Sequence, residues 1–277
     1  MKPIRNTLMA ARTALASCLV AVCVATAPAA TPVTSDTLHQ LSTIGALMEG
    51  VYDGVLPCAE IAKRGTVGLG TFHRLDGEMI VLDGTVYQAR VDGRVLEVEG
   101  TRTTPFAMVT PFEADASFAV SKETGLDDLK SSLSSVIDNP NLFYAVRVDG
   151  DFAKVKVRSV AAQEKPYPRL ADVARDQTVF EYGPTSGTLV GFWTPPYTGT
   201  MGVAGFHLHF LSNDRTQGGH LLDCTLTDGT AAVDQTAHVS LMLPETRAFA
   251  EAPLAPRDEV KYEVHAVESD PAKAGKK

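Results

Sequence analysis

Gly205-Phe206-His207-Leu208-His209-Phe210, followed by a polar turn and Gly218-Gly219-His220, is the stretch from which the fold is read. Apolar and aromatic residues bounded by glycine predict a strand. Alternate side chains of a strand share a face, so His207 and His209 project together while Leu208 points away. Asn213-Asp214 and Gly218-Gly219 are turn residues, so the chain reverses and a following strand beginning Leu221-Leu222 brings His220 back against the pair. Antiparallel β-structure and a three-histidine pocket therefore follow from the same residues. The chain has seven histidines in 277 residues, for which chance gives roughly 0.2 His-x-His pairs, so the cluster reads as a metal site rather than as scattered imidazoles. Three neutral imidazoles suit Zn²⁺ and its divalent neighbours and leave coordination positions open, as catalytic zinc sites do. The motif specifies a metal but no reaction.

Upstream, Leu75 to Gly93 carries Asp-Gly three times between short apolar runs. This is the strongest local hairpin signal and predicts an antiparallel meander. Glu78 opens one of its strands, where spacing alone makes it an exposed strand-end acid. Gly65 to Gly70 has the form G-x-x-G-x-G, but a strand-like Thr71-Phe72 follows where a dinucleotide loop requires a helix. Ser35-Asp36 is expected to cap a helix with Leu38, Leu41, Ile44, Leu47 and Met48 on one stripe, ending near Gly50. A second helix is expected through Leu126, Leu129, Leu133, Val136 and Ile137, stopped by Asn139-Pro140. Leu142 to Val148 and Ala153 to Val160 read as a hairpin turning at Asp149-Gly150 and carrying Arg147 and Arg158. Two more strands are expected across Thr230 to Leu243, and the tail from Pro244 reads as a surface wrap. Strands outnumber helices and hairpins dominate, so the fold class is α+β, with mostly antiparallel or mixed sheets and a few helices.

The first thirty residues stand apart. Lys2, Arg5 and Arg12 form a basic leader without any acid, and an apolar run from Ala14 to Ala25 and a small-residue site at Ala27-Pro28-Ala29 follow, so residues 1–30 read as a cleaved secretory signal. The run is shorter than the ~20 residues a bilayer span requires, and the protein is expected to be exported, periplasmic or secreted, with no membrane association after cleavage. Leu15-Ala16-Ser17-Cys18 is the competing lipid-attachment pattern. Removing three basic residues takes the formal charge from −8 to −11, which excludes nucleic acid as a partner. The roughly 248 residues that remain are enough for one large domain or two lobes. Cys58 and Cys224 are too few to define a disulfide framework.

Several blocks resemble α-acetolactate decarboxylase: Gly68-Leu69-Gly70-Thr71-Phe72 with Leu75-Asp76-Gly77-Glu78, Asn141 to Gly150, Gln163-Glu164-Lys165-Pro166-Tyr167, Gly187 to Phe192, and His207-Leu208-His209-Phe210 with Gly218-Gly219-His220. They run in family order from about Leu38 to Glu268. The resemblance implies two β-rich lobes, approximately 31–160 and 161–277, usually in a homodimer. It also implies a zinc enzyme, one Zn²⁺ per chain, converting the small molecule 2-acetolactate to acetoin and CO₂ without thiamine. Metal ligation would fall to His207, His209 and His220, and catalytic roles to Glu78, Arg158 and a C-terminal glutamate. That last position falls on Glu268, with Glu263 as its rival because the segment aligns only with an insertion.

The residue types suit this chemistry. A β-keto acid that loses CO₂ leaves an electron pair for a Lewis acid to stabilise. An arginine is suited to holding the carboxylate, and a carboxylic acid to returning a proton to carbon. Two other functions share the histidine motif, a cupin-type metal oxygenase and a non-enzymatic periplasmic metal-binding protein. Cupins usually add a Glu soon after the pair, where this chain has Ser212-Asn213-Asp214.

Overall fold

A computed structural model of the chain describes residues 36–254, 263–264, 266–268 and 270. The expected signal, residues 1–30, lies outside them. Among the described residues no helix is long and apolar enough to cross a membrane.

The chain runs β1 (Thr37–Leu41), α1 (Ile44–Met48), β2 (Leu56–Pro57), α2 (Cys58–Ala62), β3 (Val67–Thr71), β4 (Glu78–Leu82), β5 (Thr85–Ala89), β6 (Val95–Glu97), β7 (Thr103–Thr104) and β8 (Ala107–Thr110). It continues through β9 (Ala116–Val120), β10 (Thr124–Gly125), α3 (Leu126–Ser135), β11 (Phe143–Ser159), α4 (Leu170–Val173), β12 (Thr178–Tyr182), β13 (Thr185–Thr194), β14 (Gly205–Ser212), β15 (Gly218–Thr236), β16 (His238–Met242) and α5 (Arg247–Glu251). The class is α+β, as the alternation of apolar residues predicts.

Two seven-stranded sheets carry the fold. The first has the order β16-β1-β8-β3-β4-β5-β6, antiparallel except for the β1–β16 pair. The meander forms as expected at its β4–β5 hairpin, where Asp83 and Gly84 both take positive φ, 51° and 78°, the geometry of a two-residue turn that matches strand twist. The second sheet has the order β10-β15-β14-β13-β11-β12, with β9 also on β15. Since β11 pairs with β15 as well as with β13, the path β11-β13-β14-β15 returns to β11 and closes. The sheets pack face to face. Leu69, Phe106 and Met108 of the first sheet region share one core with Phe143, Ala145 and Phe192 of the second, while Ile80 and Leu82 meet Val190 and Leu211. The chain crosses from the first sheet to the second between β8 and β9, well before residue 160, and β16 returns to the first.

Four local expectations are corrected. Residues 37–41 form strand β1, not the start of a helix; pairing to β8 and β16 on both sides outweighs a local apolar stripe. The helix is only Ile44–Met48, capped by Thr43, whose Oγ1 accepts from Ala46 N at 3.1 Å. Asp149-Gly150 makes no turn, and β11 runs straight through it. The Asp-Gly signal is overridden because β11 is bonded on both edges there, with Gly150 opposite Gly187 and Gly229. A Cβ at Gly150 would meet Asp228 O at 2.3 Å. Likewise β15 is one strand that includes both His220 and Thr230. The tail is not only a wrap, since Val264, Val267 and Asp270 are buried. Cys58 and Cys224 are buried thiols rather than a disulfide.

Candidate active site

The site forms where the two sheets face each other, and its geometry follows from strand register. His207 and His209 occupy alternate positions of β14. His220 on β15 is the cross-strand partner of His209, so three imidazoles converge with ring centroids 5.0–5.3 Å apart. Gly219 makes the approach possible: its φ is +149°, and a Cβ there would stand 2.6 Å from Arg158 O. Arg158 on β11 pairs with His220 from the other side. Glu78, first residue of β4, enters from the first sheet, and Glu268 from the C-terminal segment.

All six side chains line one cavity with an apolar wall that includes Ile44, Leu47, Phe106 and Leu170. Glu78, Arg158 and the three histidines are each at most 8% exposed, so the reading of Glu78 as a surface acid fails. Glu268 Oε2 lies 3.2 Å from His207 Nε2 and 3.4 Å from His220 Nδ1, and its Oε1 lies 3.4 Å from Arg158 Nη2. Glu78 Oε2 lies 3.7 Å from His209 Nε2. Glu263, the rival acid, is elsewhere, paired with Arg169 at 2.8 Å. Arg147 serves only surface acids, Asp83 and Asp149.

Charge states follow from burial. Burial pushes the Glu78 carboxyl up to about 7, with Arg158 opposing and Glu268 adding to the rise. Glu268 is also raised by burial, against Arg158. Burial, then the Arg158 and Lys130 cations, hold His207 down to about 3. His209 and His220 are held well below the usual imidazole range, chiefly by burial. The triad is therefore neutral and offers lone pairs at any physiological pH.

The residues fit a divalent metal. His209 Nδ1 contacts the Met79 carbonyl at 2.8 Å and His220 Nε2 the Glu268 carbonyl at 3.3 Å. Each thus donates one N–H to the main chain and turns the other nitrogen inward, the usual arrangement around metal-ligating histidines. The three ligand atoms lie within 4.8 Å of one another. The His207 Nε2 to His220 Nδ1 separation is 3.2 Å, close to the ~3.3 Å edge of a tetrahedron of nitrogens about zinc. His209 Nε2 and Glu268 Oε2 are buried and have no hydrogen-bond partner, a costly state that a bound ligand would relieve.

Two contributors carry no sequence signal. Gln177 Oε1 accepts from Arg158 Nη1 at 3.2 Å, fixing the guanidinium from a loop that has no motif. The Met79 carbonyl acts through backbone alone, and no side-chain pattern reports it.

Comparison with known proteins identifies the family. The family profile described as alpha-acetolactate decarboxylase matches residues 38–256. The alpha-acetolactate decarboxylase of Methanosarcina mazei is 50% identical over 220 residues, covering 79% of this chain and 76% of the relative. That of Bacillus licheniformis is 40% identical over 217 residues, covering 78% and 86%. The crystal structure of alpha-acetolactate decarboxylase from Bacillus subtilis superposes with a TM-score of 0.82 at 37% identity, covering 84% of this chain and all of that one. Glu268 lies beyond the profile match, and its place comes from the fold. With the matched residues spanning most of the chain and both sheets, this chain belongs to the alpha-acetolactate decarboxylase family.

Proposed function

We propose that the protein decarboxylates 2-acetolactate to acetoin and CO₂, with one Zn²⁺ per chain held by His207, His209 and His220. The observation that carries this reading is the convergence of one buried arginine and two buried acids on a neutral three-histidine centre. When bound, a divalent ion supplies Lewis acidity toward oxygen.

Arg158 is the one cation among the described residues that line the cavity, so it anchors the substrate carboxylate. The carbon–carbon bond to that carboxylate breaks, CO₂ leaves, and the electron pair passes to the neighbouring ketone as an enediolate. A proton returned to carbon gives acetoin. Glu78 is placed for this step, because burial keeps its carboxyl protonated up to about pH 7 and a buried acid can donate where a surface carboxylate cannot. Glu268 bridges Arg158 and the histidines and assists from the opposite side. The apolar wall accepts the substrate's methyl groups and excludes water, which strengthens each charge interaction within.

Two further proposals rest, the first on the basic and apolar leader and the second on the family resemblance. Residues 1–30 act as a signal that exports the chain to the periplasm or medium, and the mature protein works as a homodimer. The activity test is incubation of purified mature protein with racemic 2-acetolactate while acetoin is followed. Acetoin formation that stops on chelation and returns with Zn²⁺ is expected. No acetoin from metal-replete protein would refute the activity.

A further inference from the structure

Two cations of β11 face two acids of the C-terminal segment, pair above pair. Lys156 and Arg158 are two residues apart on a strand and share its face. Glu268 and Asp270 are two residues apart on the segment opposite. Arg158 Nη2 meets Glu268 Oε1 at 3.4 Å, and Lys156 Nζ meets both oxygens of Asp270, at 2.9 and 2.8 Å. The Lys156 pair is the shorter one, and it stands apart from the residues that line the cavity.

Burial makes this pair count. The Lys156 and Asp270 side chains are 15% and 6% exposed, and removing one partner of a withdrawn pair leaves the other charge uncompensated. On the other flank of Glu268, Glu263 is held by Arg169, which it shares with Glu49 and whose side chain is 39% exposed, so solvent screens that pair more than it screens Lys156 and Asp270. Between the flanks, Glu268 N donates to Val264 O at 3.1 Å, a helical contact in a stretch too short to be stable on its own. Val264 and Val267 dock into the core, but apolar contacts are non-directional and leave the position along the chain loosely specified.

We propose that Lys156 is a positioning residue: through Asp270 it sets the register of the C-terminal segment, so that the Glu268 carboxylate enters the three-histidine centre. This rests on the reading that Glu268 takes part in the decarboxylation.

The test is a double-mutant cycle on the metal-replete full chain. Lys156→Met and Asp270→Asn should each lower kcat by about tenfold or more, the scale of a small misplacement of a reacting group, with KM and zinc content near wild type. Lys156→Arg should retain most of the activity. In a Glu268→Gln background the same substitutions should cost less than about twofold, because the group they position is already disabled. A second readout does not depend on turnover. Amide exchange of the peptide spanning residues 264–270 should accelerate in Lys156→Met and Asp270→Asn, both with zinc and after its removal. Asp270→Asn lies outside both sheets and guards against misfolding in the strand variant. Equal losses in both backgrounds, or unchanged exchange in that peptide, would overturn the clamp. Wild-type kcat in Glu268→Gln alone would instead remove the catalytic reading of Glu268, and it would do so before any Lys156 variant is made.

Discussion

Arg158 stands directly across the β11–β15 ladder from His220, so a permanent cation and a candidate metal-ligating imidazole are fixed by the same backbone hydrogen bonds. After burial, that cation is the largest influence keeping His220 neutral, and its guanidinium also reaches Glu268. The proposed carboxylate anchor and the proposed metal ligand cannot drift independently.

Metal occupancy depends on each histidine. His207→Ala, His209→Ala and His220→Ala should each lose stoichiometric zinc by elemental analysis. Chelation should lower the Tm of the wild type, because an ion that binds only the folded state stabilises it. Full occupancy in all three variants would count against the triad.

In the proposed mechanism Glu78 and Arg158 act on substrate and need not ligate the metal. Glu78→Gln and Arg158→Ala should therefore keep their zinc yet lose on the order of 10²–10³ in kcat/KM. An amide cannot deliver a proton at neutral pH, so residual acetoin from Glu78→Gln should have reduced enantiomeric purity by chiral chromatography. Wild-type rates and wild-type enantiomeric excess would return both residues to a structural role.

Asp234 sets a pH dependence of stability away from the site. It is 1% exposed, and burial raises its carboxyl to about 7; the Glu113 N–H opposes this, while Asp115, Asp36 and Glu113 reinforce it. An unfolded aspartate titrates near ~3.9. Between roughly pH 4 and 7 the folded chain holds a proton that the unfolded chain has released, so stability falls as pH rises through this window. Asp234→Asn keeps an acceptor for Glu113 N, which lies 3.2 Å from Asp234 Oδ2, and cannot ionise. Denaturant titrations should show the variant gaining on the wild type from about pH 4 to pH 7; a constant difference across that range would contradict the assignment.

Export predicts a mature N terminus within a few residues of Ala30. Terminal sequencing of protein recovered from the producing cells checks this, and cytoplasmic protein with Met1 intact would end the idea. A lipid on Cys18 would favour the competing pattern.

Much of the site was legible because its chemistry lies in side chains at strand spacing. His207 and His209 needed only the alternation of β14, and His220 only a turn. Glu78 was legible through its family block, whereas its burial was not, since a strand-end acid becomes an interior one only when a second sheet closes over it. The choice between Glu268 and Glu263 turned on which acid β11 faces, and no local pattern states that. The largest misreading of the fold, a hairpin at Asp149-Gly150, has the same origin. Asp-Gly favours a turn only while the backbone lacks partners, and here β13 and β15 supply them on both sides.

Of the six side chains at the centre, Glu78 alone belongs to the first sheet. The active site therefore doubles as a gauge of how the sheets sit on each other. A slight slip of one sheet past the other would carry the proton donor away and loosen the Met79 carbonyl's hold on His209, while His207, His220, Arg158 and Glu268 stay together as a group. Variants of the apolar contacts between Ile80, Leu82, Val190 and Leu211 would then show their effect first in the handedness of the acetoin released, ahead of any loss of folded protein.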